Sequence, residues 1–394
     1  MLNNHYNQKA RLNYFATPHG DKFRISLIDL EKKRVGWRNT SSVYCEKGLY
    51  SDELEHKLKI QIEDKGMEIF DKIINSTENV TLTRDELEAM KKYLLIQRYR
   101  NPLNMASYEP GIERDIFDLN ERQLKEGENY RERLYRVMSE ILDKPWGELK
   151  SSKEPEIVNN VLLSTGCSTL IVHTNEEFVI NDLGHVTERN YLDWKRALGK
   201  KGMEFLVEKL TEIAGHPPTE EELQQYLATH SHFDNFTVYP ISSNYAVIFV
   251  DALWTMYFKN VIPDETMFEL GHDSPFLFEH FEFCTNKYVN EKKIFSPVHA
   301  RTEKSKWEMT MKRISRYSDP NDQYIFPIIE LNPLWTAYLN MLTINEATHF
   351  IGCKTPEKIL LSIASYLLGL FGFTNTKHDL IWMEPGMDWS TPLN

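Results

Sequence analysis

Two histidines and an aspartate alternate along one short polar segment, at His230, His232 and Asp234. Imidazole nitrogens and carboxylate oxygens are common zinc ligands, and a zinc ion with an open coordination position activates water for hydrolysis. The spacing therefore predicts a zinc-dependent hydrolase as one candidate function. The other interpretation is a polar loop at a helix end, where histidine interacts favourably with the helix dipole.

This spacing is similar to the His-x-His-x-Asp-His element of metallo-β-lactamase-like hydrolases. Asn235 stands where that element has its last histidine. The element follows a strand and opens a helix, whereas here a predicted helix precedes the segment and a predicted strand follows it. Further ligands are not evident from the sequence, so both interpretations stay open.

Other catalytic motifs are weak or missing. Cys167 could act as a nucleophile, but no base lies near it in sequence, and a cysteine beside an apolar strand is typical of a core. The sequence has no phosphate-binding loop, no dinucleotide-binding glycine motif and no nucleophile elbow. These absences disfavour a nucleotide-driven motor, a Rossmann dehydrogenase and an α/β-hydrolase.

Charge is distributed unevenly along the 394 residues. Asp and Glu outnumber Lys and Arg by 58 to 46, and the resulting net charge of −12 favours solubility and disfavours loose binding to nucleic acid. Basic residues nevertheless cluster within 91–100, 195–201 and 301–316. Such runs are typical of solvated helix faces. The first and last clusters contain Arg98, Lys312 and Arg313, which together with Gln97 we take as candidate substrate-binding residues.

Compartment and membrane association can also be predicted. The four cysteines are far apart in sequence, which excludes a zinc ribbon, and the first residues lack the apolar run of a secretory signal. We therefore expect a cytoplasmic protein with reduced cysteines.

The most apolar segment, residues 359–373, is shorter than the roughly 20 residues that cross a bilayer. It predicts a buried core helix and no membrane partner.

The N-terminal part predicts short strands followed by helices. Residues 23–30 alternate between apolar and polar types, and a turn at 31–34 precedes another strand. From 51 to 75 the apolar residues follow a helical period, and Ser51 can cap that helix. Thr83 and Glu86 form the pattern of a capping box for a second helix, which ends before Pro102.

The remaining chain predicts a mixture of strands and helices. Residues 168–174 and 176–182 indicate two strands around a turn, 236–254 indicate a strand pair broken at Pro240, and 330–372 indicate helix. We expect an α+β fold with N-terminal strands and a central antiparallel or mixed sheet packed with many helices. The predicted domains are 1–150 and 151–394, with one continuous domain as the alternative.

Short motifs in a fixed order carry a family resemblance. They are His5-Tyr6 with Leu12, Phe15 and Ala16; Glu55 and Glu63; Gln97 and Arg100; 178–182; 239–242; and Leu339-Asn340 with Asn345 and Ala347. Together they resemble a bacterial family catalogued as domain of unknown function 4238, over about residues 5–352. Leu183-Gly184 stands where that family has Asn-Pro after the aspartate. The resemblance implies a possible role in defence against phage but no particular reaction.

The matched polar residues suggest a site if they converge. His5, Glu63, Arg100 and Asp182 would then supply an acid–base pair, a carboxylate and a cation, with Gln97 beside them. An aspartate at a strand end can bind Mg²⁺ or Mn²⁺ or orient an imidazole. An arginine can bind a phosphate through two hydrogen bonds. The alternative is a buried ion-pair network, which needs the same residue types.

These observations lead to three functional hypotheses. The first is a defence or toxin-type effector that cleaves phosphodiester bonds in nucleic acid, RNA rather than DNA. The second is a non-catalytic protein that binds a phage or host protein through buried aromatic anchors. The third is the zinc hydrolase described above.

Overall fold

The computed structural model describes more than half of the chain, in segments separated by gaps. The described residues are 3–49, 51–100, 130–152, 157, 169–191, 200, 203–204, 206–208, 210–211, 215–224, 232–251, 254, 274–280, 287–288, 323–361 and 364.

Within these residues the chain forms short strands and helices of one to five turns. The strands are β1 (Asn3–His5), β2 (Thr17–His19), β3 (Lys22–Asp29), β4 (Arg34–Asn39), β5 (Cys45–Lys47), β6 (Asn79–Thr83), β7 (Thr169–Thr174), β8 (Ile180–Asn181), β9 (Val186–Tyr191), β10 (His232–Pro240), β11 (Tyr245–Val250), β12 (Lys287–Tyr288), β13 (Gln323–Leu331) and β14 (Phe350–Cys353). The helices are α1 (Lys9–Asn13), α2 (Asp52–Leu58), α3 (Asp64–Ile74), α4 (Arg84–Arg100), α5 (Tyr130–Asp143), α6 (Pro275–His280) and α7 (Pro333–Glu346). A π turn, Lys59–Glu63, joins α2 to α3.

The described strands form three sheets. The largest has the order β12-β13-β7-β11-β10-β9, with β6 also paired to β13; the second has the order β2-β3-β14-β8, with β4 also paired to β3; and β1 pairs with β5. The β13–β7 pair is parallel and its neighbours are antiparallel, so the large sheet is mixed. The predicted α+β class with a central mixed sheet is confirmed.

Strands from both sides of residue 150 share these sheets. β6 pairs with β13, and β3 pairs with β14 although more than 300 residues separate them in sequence. The domain division near residue 150 stays a prediction.

Both faces of the large sheet are covered, which explains the unbroken apolar run Leu170-Ile171-Val172 in its strand β7. On β7, Ile171 faces a core formed with the helices α2 to α5, whereas Leu170 and Val172 face a second core shared with the smaller sheet. A strand buried on both sides loses the alternation of polar and apolar residues that marks a half-exposed strand.

The helical stripe predicted between residues 51 and 75 is confirmed. Its apolar residues are all buried, namely Leu54, Leu58, Ile62, Ile69 and Ile73. The caps are also present: Ser51 Oγ accepts from the Leu54 amide at 3.2 Å, and Thr83 and Glu86 exchange two hydrogen bonds at 2.7 and 3.2 Å. These contacts satisfy amides that the first turn of a helix leaves unpaired.

Two strand predictions need correction. The segments around the turn at Asn175 do form β7 and β8, but they lie in different sheets, because β7 pairs with β11 and β13 while β8 pairs with β14. The prediction of helix over 330–372 is wrong at 350–353, which is β14, because pairing with β3 outweighs local propensity.

None of the helices that the described residues form is long and apolar enough to cross a membrane. Of the apolar segment at 359–373, only the first turn and residue 364 fall inside the described ranges.

Candidate active site

A buried ion pair lies at the centre of the candidate site. Arg100, the last residue of α4, places Nη1 2.6 Å from Oε1 of Glu63, the last residue of the π turn. The two side chains are 2% and 9% exposed, so their charges interact with little screening by water. Two of the four residues predicted to converge are therefore in direct contact.

The π turn brings a second carboxylate to the same side of the helix. Glu55 and Glu63 are eight residues apart, which in an unbroken α-helix is about 2.2 turns. A π turn accommodates roughly one extra residue, so the two glutamates are separated by about two whole turns. Arg100 accordingly acts on Glu55 as well, lowering the pKa that burial raises.

Burial raises the pKa of Glu55 above its ordinary 4.5, and the nearby charge of Glu63 raises it further. Arg100 and a hydrogen bond from Asn4 Nδ2 at 3.2 Å oppose the shift without cancelling it. Glu55 is only half-buried, so its carboxyl can meet solvent or substrate. Its environment favours the protonated form more than an exposed glutamate's would.

His5 has the opposite tendency. Burial and the charge of Arg100 lower the pKa of its imidazole below the ordinary 6.5, while the Thr40 carbonyl and Glu63 raise it by smaller amounts. Its Nε2 is buried and has no hydrogen-bond partner among the described residues, while the side chain as a whole is half-buried. The site thus holds a histidine biased towards its basic form and a carboxyl biased towards its acidic form, which is a common arrangement in acid–base catalysis.

The neighbouring thiol is not activated. Cys45 lies opposite His5 in the β1–β5 pair, and burial raises its thiol pKa although Arg38 lowers it. The nucleophilic form of cysteine is the thiolate, so this environment disfavours covalent catalysis by Cys45.

Comparison with known proteins assigns the chain to a family. The model for the protein of unknown function DUF4238 matches residues 3–354. The chain belongs to the DUF4238 family. The match includes every element that contributes to the ion-pair site, from β1 to α4. No curated protein and no solved structure matches the chain.

Asp182 binds a turn of the smaller sheet in this DUF4238 fold. Its side chain is completely buried, and its carboxylate accepts hydrogen bonds from the amides of Thr348, His349 and Phe350 and from the Thr348 hydroxyl, at 2.8–3.0 Å. These donors form the turn that leads into β14. The catalytic role predicted for Asp182 stays a prediction, but its oxygens are already engaged in a structural contact.

Gln97 is part of an interior network. Its Nε2 donates to the Tyr6 carbonyl at 2.6 Å and to Asn7 Oδ1 at 2.9 Å, and Asn7 Nδ2 donates to the carbonyls of Asn181 and Asp182. The side chain is 1% exposed, so it positions the segment that follows His5, and substrate binding by Gln97 stays a prediction. Arg98 is half-buried and reaches Thr187 Oγ1 at 3.5 Å.

Arg11 completes this network, although no sequence motif marks it as a buried residue. Its guanidinium is fully buried and donates to the Pro240 carbonyl at 3.0 and 2.5 Å and to the Gly184 carbonyl at 2.6 Å. Gly184 has φ +71°, and a Cβ there would overlap Asn7 Oδ1. The Leu-Gly that departs from the family pattern therefore suits a left-handed turn packed against Asn7.

The predicted zinc ligands and two of the candidate substrate-binding residues fall mostly outside the described part of the chain. This applies to His230, Lys312 and Arg313, while His232 and Asp234 contribute only their backbone to the description of β10. Among the described residues, no three His, Cys, Asp or Glu side chains converge to hold a metal ion. Zinc, Mg²⁺ and Mn²⁺ binding stay predictions.

Proposed function

We propose that this DUF4238 protein cleaves RNA by acid–base catalysis, with His5 as the base and Glu55 as the acid. The observation that carries the proposal is the buried Glu63–Arg100 ion pair at 2.6 Å, whose charges act on both His5 and Glu55. Enzymes that move protons between two groups use environments of this kind. The wider roles in phage defence or as a toxin stay predictions.

RNA supplies its own nucleophile, so the reaction needs few protein groups. Binding of the RNA would have to expose the buried Nε2 of His5. His5 would then take the proton from a ribose 2′-hydroxyl, and that oxygen would attack the adjacent phosphorus. The bond from phosphorus to the 5′-oxygen then breaks, and Glu55 protonates the departing oxygen. The products are a 2′,3′-cyclic phosphate and a free 5′-hydroxyl, and no step passes through a metal ion. DNA lacks the 2′-hydroxyl and is inert in this scheme.

The remaining charged residues would support these two groups. Glu63 and Arg100 are too buried to contact a substrate fully, and we assign them positioning and electrostatic roles. Lys9 is exposed, and its charge acts on His5, so it can neutralise a phosphate oxygen near the imidazole.

The first test uses the purified full chain with a single-stranded RNA, the DNA of the same sequence and the 2′-O-methyl RNA, each with and without EDTA. We expect cleavage of the RNA alone, unaffected by EDTA, with cyclic phosphate ends detected by mass spectrometry. His5→Gln should slow cleavage by about 10²–10⁴-fold, the usual contribution of a general base. The matched control is His216→Gln, at an exposed histidine remote in sequence.

Several outcomes would contradict the proposal. Cleavage of DNA or of the 2′-O-methyl RNA would mean that the 2′-hydroxyl is not the nucleophile. Loss of activity in EDTA would mean that a metal ion participates. No cleavage of any substrate would leave the protein-binding hypothesis as the better one.

A second prediction concerns pH. His5 must be neutral to accept a proton, so kcat/KM should fall as the pH drops through a pKa below 6.5. Glu55 must be protonated to donate one, so kcat/KM should also fall as the pH rises through a pKa above 4.5. We therefore expect a bell-shaped profile centred in the mildly acidic range.

Glu55→Gln should lower the rate and remove the alkaline limb of this profile. An alkaline limb that survives the substitution would exclude Glu55 as the acid.

A further inference from the structure

The hairpin formed by β3 and β4 is strongly basic. Residues 22–38 contain six Lys and Arg and two acidic residues, a net charge of +4 in a chain whose total is −12. One of the two acids, Asp29, lies 3.8 Å from Arg34 Nε and is 3% exposed. The local charge is thus opposite to that of the protein as a whole and suits a polyanion.

Strand register places polar and aromatic side chains together on one face of this hairpin. Opposite residues in an antiparallel pair share a face, and β3 pairs Arg24 with Asn39 and Ser26 with Trp37. On its other side β3 pairs Lys22 with His19 and Arg24 with Thr17. None of these positions is an aspartate or glutamate, and all are exposed or half-buried.

The centre of this face is a stacked pair. The Arg24 guanidinium carbon lies 3.7 Å from the centroid of the Trp37 ring, as expected for diagonal neighbours in an antiparallel pair. Arg24 Nε has no hydrogen-bond partner among the described residues, so the ring is the contact that holds this cation. Indole rings and guanidinium planes are both surfaces on which unpaired nucleobases stack.

The same strand leads from this face towards the candidate site. No other described strand pairs with β4, so β4 forms an edge of its sheet. Arg38, the residue after Trp37, points to the opposite face, and its charge lowers the pKa of Cys45, the cross-strand neighbour of His5.

We infer that the face formed by Lys22, Arg24 and Trp37 binds single-stranded RNA, with a base stacked on the Arg24–Trp37 pair and a phosphate at Lys22. This inference rests on the proposed function for its choice of ligand, and it specifies that the substrate is unpaired. Bases in a duplex are already stacked on one another and are not available to such a surface.

The test measures binding separately from cleavage. A fluorescent 12-nucleotide 2′-O-methyl RNA, which lacks the nucleophilic hydroxyl, is titrated with the full chain and followed by anisotropy. We expect Trp37→Leu to weaken binding by about 5- to 100-fold, the usual contribution of one stacked base. Lys22→Gln should weaken binding less, and it should lower the slope of log affinity against log salt concentration by about one, the value for one lost phosphate contact. Lys32→Gln at the exposed hairpin turn changes the charge equally and should have little effect.

The controls separate this inference from the proposed reaction. His216→Gln, at an exposed histidine remote in sequence, should bind the 2′-O-methyl RNA like the unmodified protein, and thermal unfolding should show that each variant remains folded. Binding that is unchanged by Trp37→Leu, or that is equally tight for a duplex, would overturn the inference even if the protein cleaves RNA. Binding that depends on Trp37 would support it even if cleavage is absent. No measurable binding of the oligonucleotide would also overturn it.

Discussion

Replacing Asp182 by alanine should lower the free energy of unfolding by about 4 kcal/mol or more. The carboxylate accepts three backbone amides and one hydroxyl at the turn into β14, and hydrogen bonds to a charged group contribute about 1.5–3 kcal/mol each. The variant would leave those amides without acceptors next to the Phe350–Asp29 pair that joins β14 to β3. Urea unfolding followed by circular dichroism measures the loss.

Asp64→Ala provides the matched control, because Asp64 is exposed on the first turn of α3 and should change stability by no more than about 0.5 kcal/mol. The result also decides between two roles for Asp182. A structural acceptor predicts loss of stability and of any activity together. An Asp182→Ala variant that keeps full stability but loses RNA cleavage would identify a catalytic carboxylate and contradict the structural role.

Arg100→Met should cost about 3–5 kcal/mol of stability, because it leaves the Glu63 carboxylate buried without its cation. The double variant Glu63→Leu with Arg100→Met should recover much of that loss, since apolar side chains can replace a buried ion pair at little cost. Chemical denaturation of both single variants and the double variant gives the coupling free energy.

An exposed ion pair of the same length provides the comparison. Lys144 and Glu140 are also 2.6 Å apart, but Lys144 is 42% exposed, so Lys144→Met should cost at most about 1 kcal/mol. Equal losses in Arg100→Met and Lys144→Met would show that burial does not strengthen the Glu63–Arg100 contact. A double variant as unstable as Arg100→Met would show that the two side chains act independently.

The elements that were predicted correctly are those determined by residues close together in sequence. The Ser51 cap, the Thr83–Glu86 box and the β3–β4 hairpin depend on residues a few positions apart. The pairing of β14 with β3 depends on residues more than 300 positions apart, and a short apolar segment does not specify its partner. The helix predicted there was wrong for this reason.

The candidate site was predicted only in part, because its residues lie far apart in sequence. Glu63 and Arg100 were identified together through the family resemblance, and they do meet. Whether Asp182 joins them stays a prediction, and its carboxylate accepts hydrogen bonds from a turn 166 positions away in sequence. Arg11 carries no local pattern that marks it as buried, because its partners are backbone carbonyls, which any residue can provide.

The π turn at Lys59–Glu63 lets this helical segment hold about one residue more than a regular helix while Glu55 and Glu63 stay on one side. Deletion of one residue between them would leave a regular helix in which the two glutamates are seven positions apart, about 1.9 turns. Both carboxylates would then still lie on the side of Arg100. A second deletion would have no surplus residue to absorb it and would turn Glu55 away by about 100°.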